Sequence, residues 1–383
     1  MRIAIDAMGG DHAPEEIIKG VVMASKEVDC EYILVGDEEK IKKELARYPD
    51  KFKYSIIHTT EFITMDESPT AALRKKRRAS VILAAQAVAE QKADALISAG
   101  NTGALTEVAF LYLRRLRGIK RPAIATFWPT KKGSAILLDS GANVDCRPEY
   151  LLQFAYMGSI YAERVAGVTN PRVALLSIGE EQGKGNQVVQ KAHAMLKQSK
   201  LNYIGNVEMK DFLAGKVDVG VCDGFIGNMI LKTGESVAEF IFTFIKEEVN
   251  KGMRVKMGAA LMSPVFRKLK LKMDYSEHGG APFLGLNKVC IKSHGRSNAK
   301  AIKNAIKAAS EAVRQNIVEK ISQNIEVYGQ VEEERRQTQP QPQRQAQPYR
   351  QPNPQHPQQK RPVKKYFHHK KKEPVKSEAA KKE

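Results

Sequence analysis

Short apolar runs rich in β-branched residues alternate with longer helical patterns through residues 1–330. The apolar runs predict strands at residues 2–6, 31–35, 53–58, 93–97, 134–138, 172–178 and 217–222. Helices are predicted between many of them, for example at residues 69–91, 148–165 and 229–250. This rhythm is typical of βαβ units, so we expect a three-layer, Rossmann-like α/β fold built on a largely parallel sheet.

The pattern stops near residue 331. The segment that begins at Gln337 is rich in Gln and Pro, and from Lys360 onwards it is rich in Lys and His. Because it has few apolar residues to bury, we predict one α/β domain over residues 1–330 and a disordered Gln/Pro/Lys-rich tail over residues 331–383. The tail is either a dispensable solvated extension or a tether for RNA or membrane phosphates.

Four of the predicted strands run into loops of glycine, small and amide residues, each followed by a helical pattern. The loops read I-D-A-M-G-G-D-H-A-P at 5–14, S-A-G-N-T-G at 98–103, G-E-E-Q-G-K-G-N at 179–186 and C-D-G-F-I-G-N at 222–228. Glycine lets the backbone approach a ligand closely, and the N–H groups at a helix start attract anions. Since parallel sheets place ligands at the carboxyl ends of their strands, we expect these loops to form one phosphate-type pocket.

Two side chains in these loops are candidates for binding an anion. Lys184 lies between two glycines and does not belong to an apolar face of a helix or strand. It therefore either points at a bound anion or is a solvated loop lysine. Asn228 offers an amide donor, and His12 either donates to an anion or only orients its own loop. The other residues expected to line the pocket are Gly100, Asn101, Thr102, Gly103, Gly183, Gly185, Asn186 and Gly227.

The better-known phosphate and hydrolase motifs are absent from the sequence. Three residues separate Gly179 from Gly183 where a P-loop requires four, and Gly185 follows the lysine in place of Ser or Thr. No G-x-G-x-x-G, G-x-S-x-G or H-E-x-x-H occurs. A standard dinucleotide site, a hydrolase nucleophile elbow and a zinc protease site are therefore disfavoured.

Positive charge is spread over both parts of the chain. Of the net charge of +19, residues 331–383 contribute +8 and residues 1–330 contribute +11. A basic enzyme usually binds an acidic substrate or partner, such as phosphate, an acidic carrier protein or an anionic membrane. Residues 74–78 are five consecutive cations, among them Arg74 and Lys76. They form either an exposed basic turn or a surface that serves the pocket and an acidic partner.

A second basic stretch covers residues 251–273, which hold seven Lys/Arg and no Asp or Glu. Pro264 near a helix start predicts two short helices there instead of one. A basic amphipathic segment of this kind either binds an anionic membrane surface or packs in a dimer interface. Its candidate contact residues are Leu261, Met262, Val265, Phe266 and Lys268.

The four cysteines lie far apart and no Cys/His cluster occurs, so neither a disulfide nor a metal site is expected. No apolar run is long enough to cross a bilayer, and the polar start lacks the apolar stretch of a signal peptide. We therefore expect a cytoplasmic protein.

Taken together, five motifs form a set that resembles the acyl-ACP:phosphate acyltransferases, the PlsX family. They are I-D-A-M-G-G-D-H-A-P, S-A-G-N-T-G-A, L-D-S-G-A-N-V-D, C-D-G-F-I-G-N and Y-S-E-H-G-G-A, and they occur in the family's order over about residues 1–320. The opening decapeptide is the most specific of them. The tail beyond residue 331 is an extension that typical members of the family lack.

The resemblance implies an enzyme that transfers a fatty acyl group from acyl carrier protein to inorganic phosphate and releases acyl phosphate. It also implies a fold similar to that of isocitrate and isopropylmalate dehydrogenases and of phosphotransacetylases. Members are homodimers that associate peripherally with the membrane, where a glycerol-phosphate acyltransferase uses the product. No metal or organic cofactor is expected.

The candidate residues fit such a reaction because phosphate is itself the nucleophile, so no Ser or Cys nucleophile is needed. The site needs a cation, amide donors and backbone N–H groups near an electrophilic carbonyl. We expect Lys184 and Asn228 to bind phosphate, and Asn101 and Thr102 to line the pocket. His12 would polarise the carbonyl or donate to the anion.

Three other functions stay open at the level of the sequence. A dehydrogenase of similar fold would be stabilised against heat by a nucleotide, and a short-chain phosphotransacetylase would prefer acetyl-CoA to palmitoyl-ACP. A non-catalytic scaffold for nucleic acid or membrane would depend on the basic tail, so deletion of residues 331–383 would abolish its binding.

Overall fold

A computed structural model describes residues 1–273 and 279–325. The strands are β1 (Arg2–Asp6), β2 (Glu31–Gly36), β3 (Tyr54–His58), β4 (Ala95–Ser98), β5 (Ala123–Thr130), β6 (Gly133–Leu138), β7 (Val173–Leu176), β8 (Tyr203–Val207), β9 (Val219–Val221), β10 (Ala281–Leu284) and β11 (Val289–Lys292). The helices are α1 (Glu15–Ser25), α2 (Glu38–Leu45), α3 (Pro69–Lys75), α4 (Ser80–Ala89), α5 (Thr102–Val108), α6 (Pro148–Arg164), α7 (Gln187–Lys197), α8 (Met209–Leu213), α9 (Gly224–Asn250), α10 (Met253–Leu261), α11 (Ser263–Met273) and α12 (Ala299–Arg314). Helix α5 continues as a π-helical turn at Ala109–Leu113, and residues 317–325 are also helical.

The predicted α/β class is confirmed, and all seven predicted strands are present. The two short helices predicted for residues 251–273 are α10 and α11. The single helix predicted for residues 69–91 is wrong, because the chain there forms α3 and α4. Helix α3 ends at its C-cap residue, Lys76. The ammonium of Lys76 donates to the Phe62 carbonyl at 2.8 Å and pairs with Glu67 at 2.6 Å.

Four strands escaped the sequence pattern: β5, β8, β10 and β11. Pro129 lies in β5 and Pro282 lies in β10, and a proline within an apolar run argues against a central strand. Strands β10 and β11 have only four residues each. They nevertheless occupy the middle of the sheet, where they join its two halves.

The eleven strands form one sheet in the order β3-β2-β1-β4-β11-β10-β5-β6-β9-β7-β8. The first five are mutually parallel, and so are the last four. Between them β10 is antiparallel to both neighbours, and β5 is antiparallel to β6. The two parallel halves therefore run in opposite directions, so the four glycine loops do not share a single sheet edge.

The last residues of β11 and β6, one from each half of the sheet, nevertheless lie level with adjacent residues of β5. Lys292, at the end of β11, pairs with Ala281, which the β10–β5 register places level with Thr126. Leu138, at the end of β6, pairs with Ala125. The loops that follow β11 and β6 therefore meet beside the middle of β5.

Helices cover both faces of the sheet and bury its alternating side chains. Ile3 and Ile5 of β1 belong to a core with α1, α6, α7 and α12, whereas Ala4 belongs to a second core with α4 and α5. This period-two division of one strand between two helical layers is what a three-layer α/β fold requires. Within residues 1–273 and 279–325, no helix combines the length and apolarity needed to cross a membrane.

Candidate active site

Three loops from the first half of the sheet are tied to one another. Asp6, at the end of β1, accepts a hydrogen bond from the Ser98 hydroxyl at 2.7 Å. The backbone N–H of Asp11 donates to the Gly295 carbonyl at 2.8 Å. Burial raises the pKa of the Asp6 carboxyl, while its hydrogen bonds act against that shift. The loops after β1, β4 and β11 therefore form one connected cluster.

The loop after β6 is built around the buried carboxylate of Asp139. This group accepts hydrogen bonds of 2.7–3.2 Å from the backbone N–H groups of Ile124, Gly141, Ala142 and Asn143, and from the Asn143 amide. Burial raises the pKa of the Asp139 carboxyl, whereas these donors oppose the shift. One side chain thus fixes the whole turn that leads from β6 to the cavity described below.

Helix α9 begins against this turn. Asp223 caps the helix by accepting a hydrogen bond from the Ile226 N–H at 2.8 Å. Gly227 lies so close to the Asp139 carbonyl oxygen that no Cβ could be accommodated. This close approach places Asn228, the following residue, beside Gly141 in the turn after β6.

A cavity of about 190 Å³ lies where the two sets of loops meet, between β5, α9 and the loop after β11. Its lining includes ten polar side chains: Thr126, Ser140, Asn228, Lys232, Glu235, Lys272, Lys292, Ser293, His294 and Ser297. The other side chains in the lining are apolar, apart from the indole N–H of Trp128, a buried donor with no partner among the described residues: Ile124, Phe127, Trp128, Pro129, Leu231, Ala238, Ala281 and Ala301. A small concave site with convergent polar groups against an apolar wall is the usual form of a ligand pocket.

Two serines in this lining have hydroxyl groups that lack a hydrogen-bond partner among the described residues. Ser293 and Ser297 are each 2 % exposed, and their Oγ atoms are buried and unpaired. Buried polar groups in native proteins are nearly always hydrogen-bonded, and leaving one unpaired costs about 1–3 kcal/mol. The two hydroxyls are therefore suited to donate to a polar ligand in the cavity.

The basic residues beside these serines have shifted pKa values. Burial lowers the pKa of the Lys292 ammonium, and the charge of Lys232 lowers it further. Burial also lowers the pKa of the His294 imidazole, which favours the neutral ring, a form that carries one N–H donor. A bound anion would favour the charged form of Lys292 and reverse its shift.

We therefore expect phosphate binding to weaken as the pH rises through the lowered pKa of Lys292. Above that pH, phosphate must bind together with a proton, because the dianion restores the charged ammonium. Calorimetric titration with inorganic phosphate between about pH 8 and about pH 10 measures this, since phosphate is already mostly a dianion there.

The matched variant is Lys292→Arg, which keeps its charge throughout this range because the arginine pKa lies above about 12. Its dissociation constant for phosphate should stay nearly level over the same interval. An equal pH slope in the native enzyme and in Lys292→Arg would contradict this assignment of the titrating group.

Of the side chains predicted from the sequence for the pocket, Asn228 lines the cavity. Asn101 instead caps α5, with its oxygen accepting from the Ala104 N–H at 3.1 Å. Its amide N–H groups donate to the carbonyls of Met65 and Glu67 at 3.0 Å. Gly100, Thr102 and Gly103 flank this cap, so their loop holds the cluster together without lining the described cavity.

A loop after β7, the neighbour of β9 in the sheet, contains Gly183, Lys184, Gly185 and Asn186. The β7–β9 register makes it leave the sheet level with the start of α9. Asn186 caps α7 by accepting from the Val189 N–H at 2.9 Å, and Lys184 is exposed. None of the four lines the described cavity.

The remaining predicted contact residues lie on the surface. His12 and Arg74 are exposed, while Lys76 is engaged in its ion pair with Glu67. On α10 and α11, Leu261 is 85 % exposed, and Met262, Val265 and Lys268 are also exposed. Phe266 is half-buried.

The polar segment K-S-H-G-R-S at residues 292–297 was missed by the sequence analysis, although it supplies four of the lining residues. The signal was present, because an apolar run at residues 289–291 passes directly into these polar residues. The four residues Tyr275 to His278 of the Y-S-E-H-G-G-A motif lie outside the described residues. Among those that are described, no group of three or more His, Cys, Asp or Glu could hold a metal ion.

Comparison with known proteins identifies the family. The model of the family described as "Fatty acid synthesis protein" matches residues 1–320. The phosphate acyltransferase of Moorella thermoacetica is 53% identical over 318 residues, which cover 83% of this chain and 94% of that protein. The phosphate acyltransferase of Halothermothrix orenii is 50% identical over 336 residues, which cover 86% of this chain and 100% of that protein.

Solved structures show the fold alone. A phosphotransacetylase from Streptococcus pyogenes aligns with a TM-score of 0.56 at 17% identity, covering 82% of this chain and 94% of that one. The EutD phosphotransacetylase from Staphylococcus aureus aligns with a TM-score of 0.51 at 15% identity, over 82% and 94% of the two chains. Given the family match over most of its length, the chain belongs to the phosphate acyltransferase family and is an acyltransferase.

Proposed function

We propose that the enzyme transfers a long-chain acyl group from acyl carrier protein to inorganic phosphate, and that the acyl phosphate feeds phospholipid synthesis. The residues that line the cavity support this proposal. It combines two unpaired buried hydroxyls, a lysine and a neutral histidine with an apolar wall. Such a site offers donors for a small anion directly beside space for carbon atoms.

The proposed reaction needs no covalent enzyme intermediate. A phosphate oxygen attacks the thioester carbonyl carbon, so a C–O bond forms and the carbonyl oxygen becomes an oxyanion. Collapse of this species breaks the C–S bond and releases the carrier thiolate. The thiol has a pKa of about 8.5, so the thiolate accepts the proton that the phosphate hydroxyl gives up. The enzyme's task is to position both reactants and stabilise the oxyanion.

Each polar residue has a proposed part in that task. The hydroxyls of Ser293 and Ser297 donate to phosphate, and Lys292 supplies a positive charge beside them. The amide of Asn228 and the N–H of His294 stabilise the oxyanion. Lys184 is proposed as a further phosphate contact, from the exposed loop that leaves the sheet level with the start of α9.

The donor is tested by comparing palmitoyl-ACP, palmitoyl-CoA and acetyl-CoA as substrates at equal phosphate concentration. We expect palmitoyl-ACP to give the largest kcat/KM and acetyl-CoA to give the smallest. A preference for acetyl-CoA would favour a short-chain phosphotransacetylase and would refute the proposed donor.

A basic surface near the cluster of loops suits an acidic carrier protein. Arg74, Lys75, Arg77 and Arg78 are exposed on and just after α3. We propose that this surface steers acyl carrier protein towards the enzyme. Raising the ionic strength from about 0.01 M to about 1 M shortens the Debye length from about 30 Å to about 3 Å. We expect kcat/KM for acyl-ACP to fall by about tenfold or more over this range. A salt-insensitive rate would contradict steering.

We further propose that α10 and α11 attach the enzyme to an anionic membrane surface, close to the glycerol-phosphate acyltransferase that uses its product. Met253, Met257 and Leu261 are 77 %, 65 % and 85 % exposed, and Arg254 and Lys256 lie among them. This combination is typical of helices that lie in the plane of a membrane interface. A homodimer would present two such helix pairs.

The double variant Leu261→Glu/Val265→Glu should bind vesicles containing phosphatidylglycerol at least about 10²-fold more weakly than the native enzyme. Each apolar side chain that leaves the interface forfeits about 1.5–3 kcal/mol. Vesicle co-sedimentation measures the loss, and activity without vesicles should be retained. Leu111→Glu, at a leucine that is 66 % exposed elsewhere, is the matched control. Loss of activity and dimerisation together would instead place these residues in a subunit interface.

The tail predicted for residues 331–383 lies outside the described residues, and its proposed role as a solvated extension or phosphate tether rests on composition alone. Deletion of residues 331–383 should leave the turnover of acyl-ACP intact if residues 1–330 form the enzyme. Loss of turnover would contradict that division of the chain.

A further inference from the structure

The apolar wall of the cavity is formed largely by one aromatic side chain and one helix face. Trp128 of β5 lines it together with its neighbour Phe127. On α9, Leu231, Gly234 and Ala238 also line the cavity. These three positions are spaced by three and four residues, so they share one face of the helix. The apolar wall is therefore made by an indole ring and one face of a helix that contact each other at Gly234.

Gly234 has a specific reason to be glycine. It lies inside α9, where glycine costs about 1 kcal/mol relative to alanine. A Cβ at this position would collide with Cη2 of the Trp128 indole. The backbone conformation is an ordinary helical one, so the requirement is for space and not for an unusual φ angle. The helix thus accepts a less favourable residue so that the indole can lie against its backbone.

We propose that Trp128 and the Leu231–Ala238 face of α9 bind the acyl carbons next to the carbonyl, with Gly234 keeping the indole in place. This inference rests on the proposed function, because it assigns the acyl group to the apolar wall and phosphate to the serines. It makes Trp128 a substrate-binding residue and Gly234 a positioning residue.

The size of the cavity determines how much of the chain is held. A cavity of roughly 150 Å³ accommodates a benzene molecule in another protein, and this one has a volume of about 190 Å³. It therefore has room for the reacting groups and a few carbon atoms only. The rest of a long acyl chain must leave the cavity, so the wall recognises the first carbons and not the total length.

The same face of α9 continues beyond the cavity with apolar residues. Ile241, Phe242 and Ile245 follow Ala238 at spacings of three, four and seven residues, and each is at least partly exposed. The continuation gives the emerging chain an apolar surface that is continuous with the cavity wall.

Trp128 is the single tryptophan of the chain, so its fluorescence reports directly on this wall. The probe is hexyl phosphate, whose short chain matches the cavity and whose phosphate matches the serines. We expect hexyl phosphate to produce a saturable change in Trp128 emission, while inorganic phosphate at saturation leaves the emission nearly unchanged. Binding of hexyl phosphate without a change in emission, or no binding at all, overturns the inference.

Two variants test the wall independently. Gly234→Ala displaces the indole, and Ala238→Leu fills the apolar space without touching Gly234. Each should weaken hexyl phosphate binding by about tenfold or more, since a pocket that loses room for a methylene or two discriminates by about 10–200-fold. The dissociation constant for inorganic phosphate, measured by calorimetry, should stay within about twofold. Ser236→Ala, at an exposed residue of α9 outside the cavity lining, is the matched control.

The outcomes separate this inference from the proposed function. If the enzyme forms acyl phosphate but neither variant alters hexyl phosphate binding, the acyl site lies elsewhere and the inference fails while the function stands. If hexyl phosphate binds as expected but acyl-ACP and phosphate give no acyl phosphate, the apolar site stands and the proposed function fails. If Gly234→Ala does not fold, Ala238→Leu still decides the matter.

Discussion

Asn228→Ala is expected to lower kcat/KM for phosphate-dependent cleavage of acyl-ACP by at least about 10²-fold, the usual consequence of removing one oxyanion donor. Asn228 is fixed at the start of α9 by the cap of Asp223 and by the contact of Gly227 with Asp139. Its amide can therefore meet the developing charge without reorganising. The loss should appear mainly in kcat, because the interaction strengthens only as the oxyanion forms.

Asn250→Ala, at the other end of the same helix, is the control and should retain nearly full activity in the absence of membranes. Lys184→Ala tests the second residue predicted from the sequence and is expected to raise KM for phosphate. Near-normal turnover by Asn228→Ala that melts at the native temperature would refute the assignment of Asn228 as a donor.

Asp139→Ala is expected to reduce the free energy of unfolding by at least about 3 kcal/mol. The carboxylate is fully buried and receives N–H groups from four residues. Removing it leaves several buried donors unpaired, at about 1–3 kcal/mol each before any of them reaches water. Denaturant unfolding followed by circular dichroism measures the change.

The control for this variant is Asp145→Ala, an exposed carboxylate six residues further along the same loop. Substitutions at such surface positions usually change stability by no more than about 0.5 kcal/mol. Asp139→Asn retains one acceptor oxygen and should fall between the two. If Asp139→Ala unfolded within about 1 kcal/mol of the native protein, Asp139 would not organise the turn after β6.

Much of the fold could be predicted because each half of the sheet follows local rules. The strands from β1 to β4 carry clear apolar runs, and each of them was predicted. The junction of the halves does not follow those rules. Strands β5 and β10 contain prolines, and β10 pairs with β5 across more than a hundred residues. No local pattern specifies that pairing, so the reversal of the sheet could not be inferred.

Local sequence patterns also failed to identify most of the residues that line the cavity. Glycine loops mark places where the backbone is closely approached, but here several of those close contacts are made by the protein itself. Asn101 uses its amide to bind backbone carbonyls, and Gly227 packs against Asp139. Lys292, Ser293, His294 and Ser297 lie at the end of a four-residue strand that was not predicted, or just after it. No pattern in the sequence links Trp128 to Gly234, whose backbone lies against the indole ring in the folded protein.

The central claim is that phosphate, held by the serines and Lys292, attacks the acyl carbonyl directly. A single-turnover reaction of palmitoyl-ACP with ³²P-labelled phosphate tests it. We predict that labelled palmitoyl phosphate and the thiol of the carrier protein appear at the same rate and in equal amounts, with no lag. Release of free palmitate without labelled acyl phosphate, or transfer of the acyl group to the enzyme before phosphate is added, would contradict it.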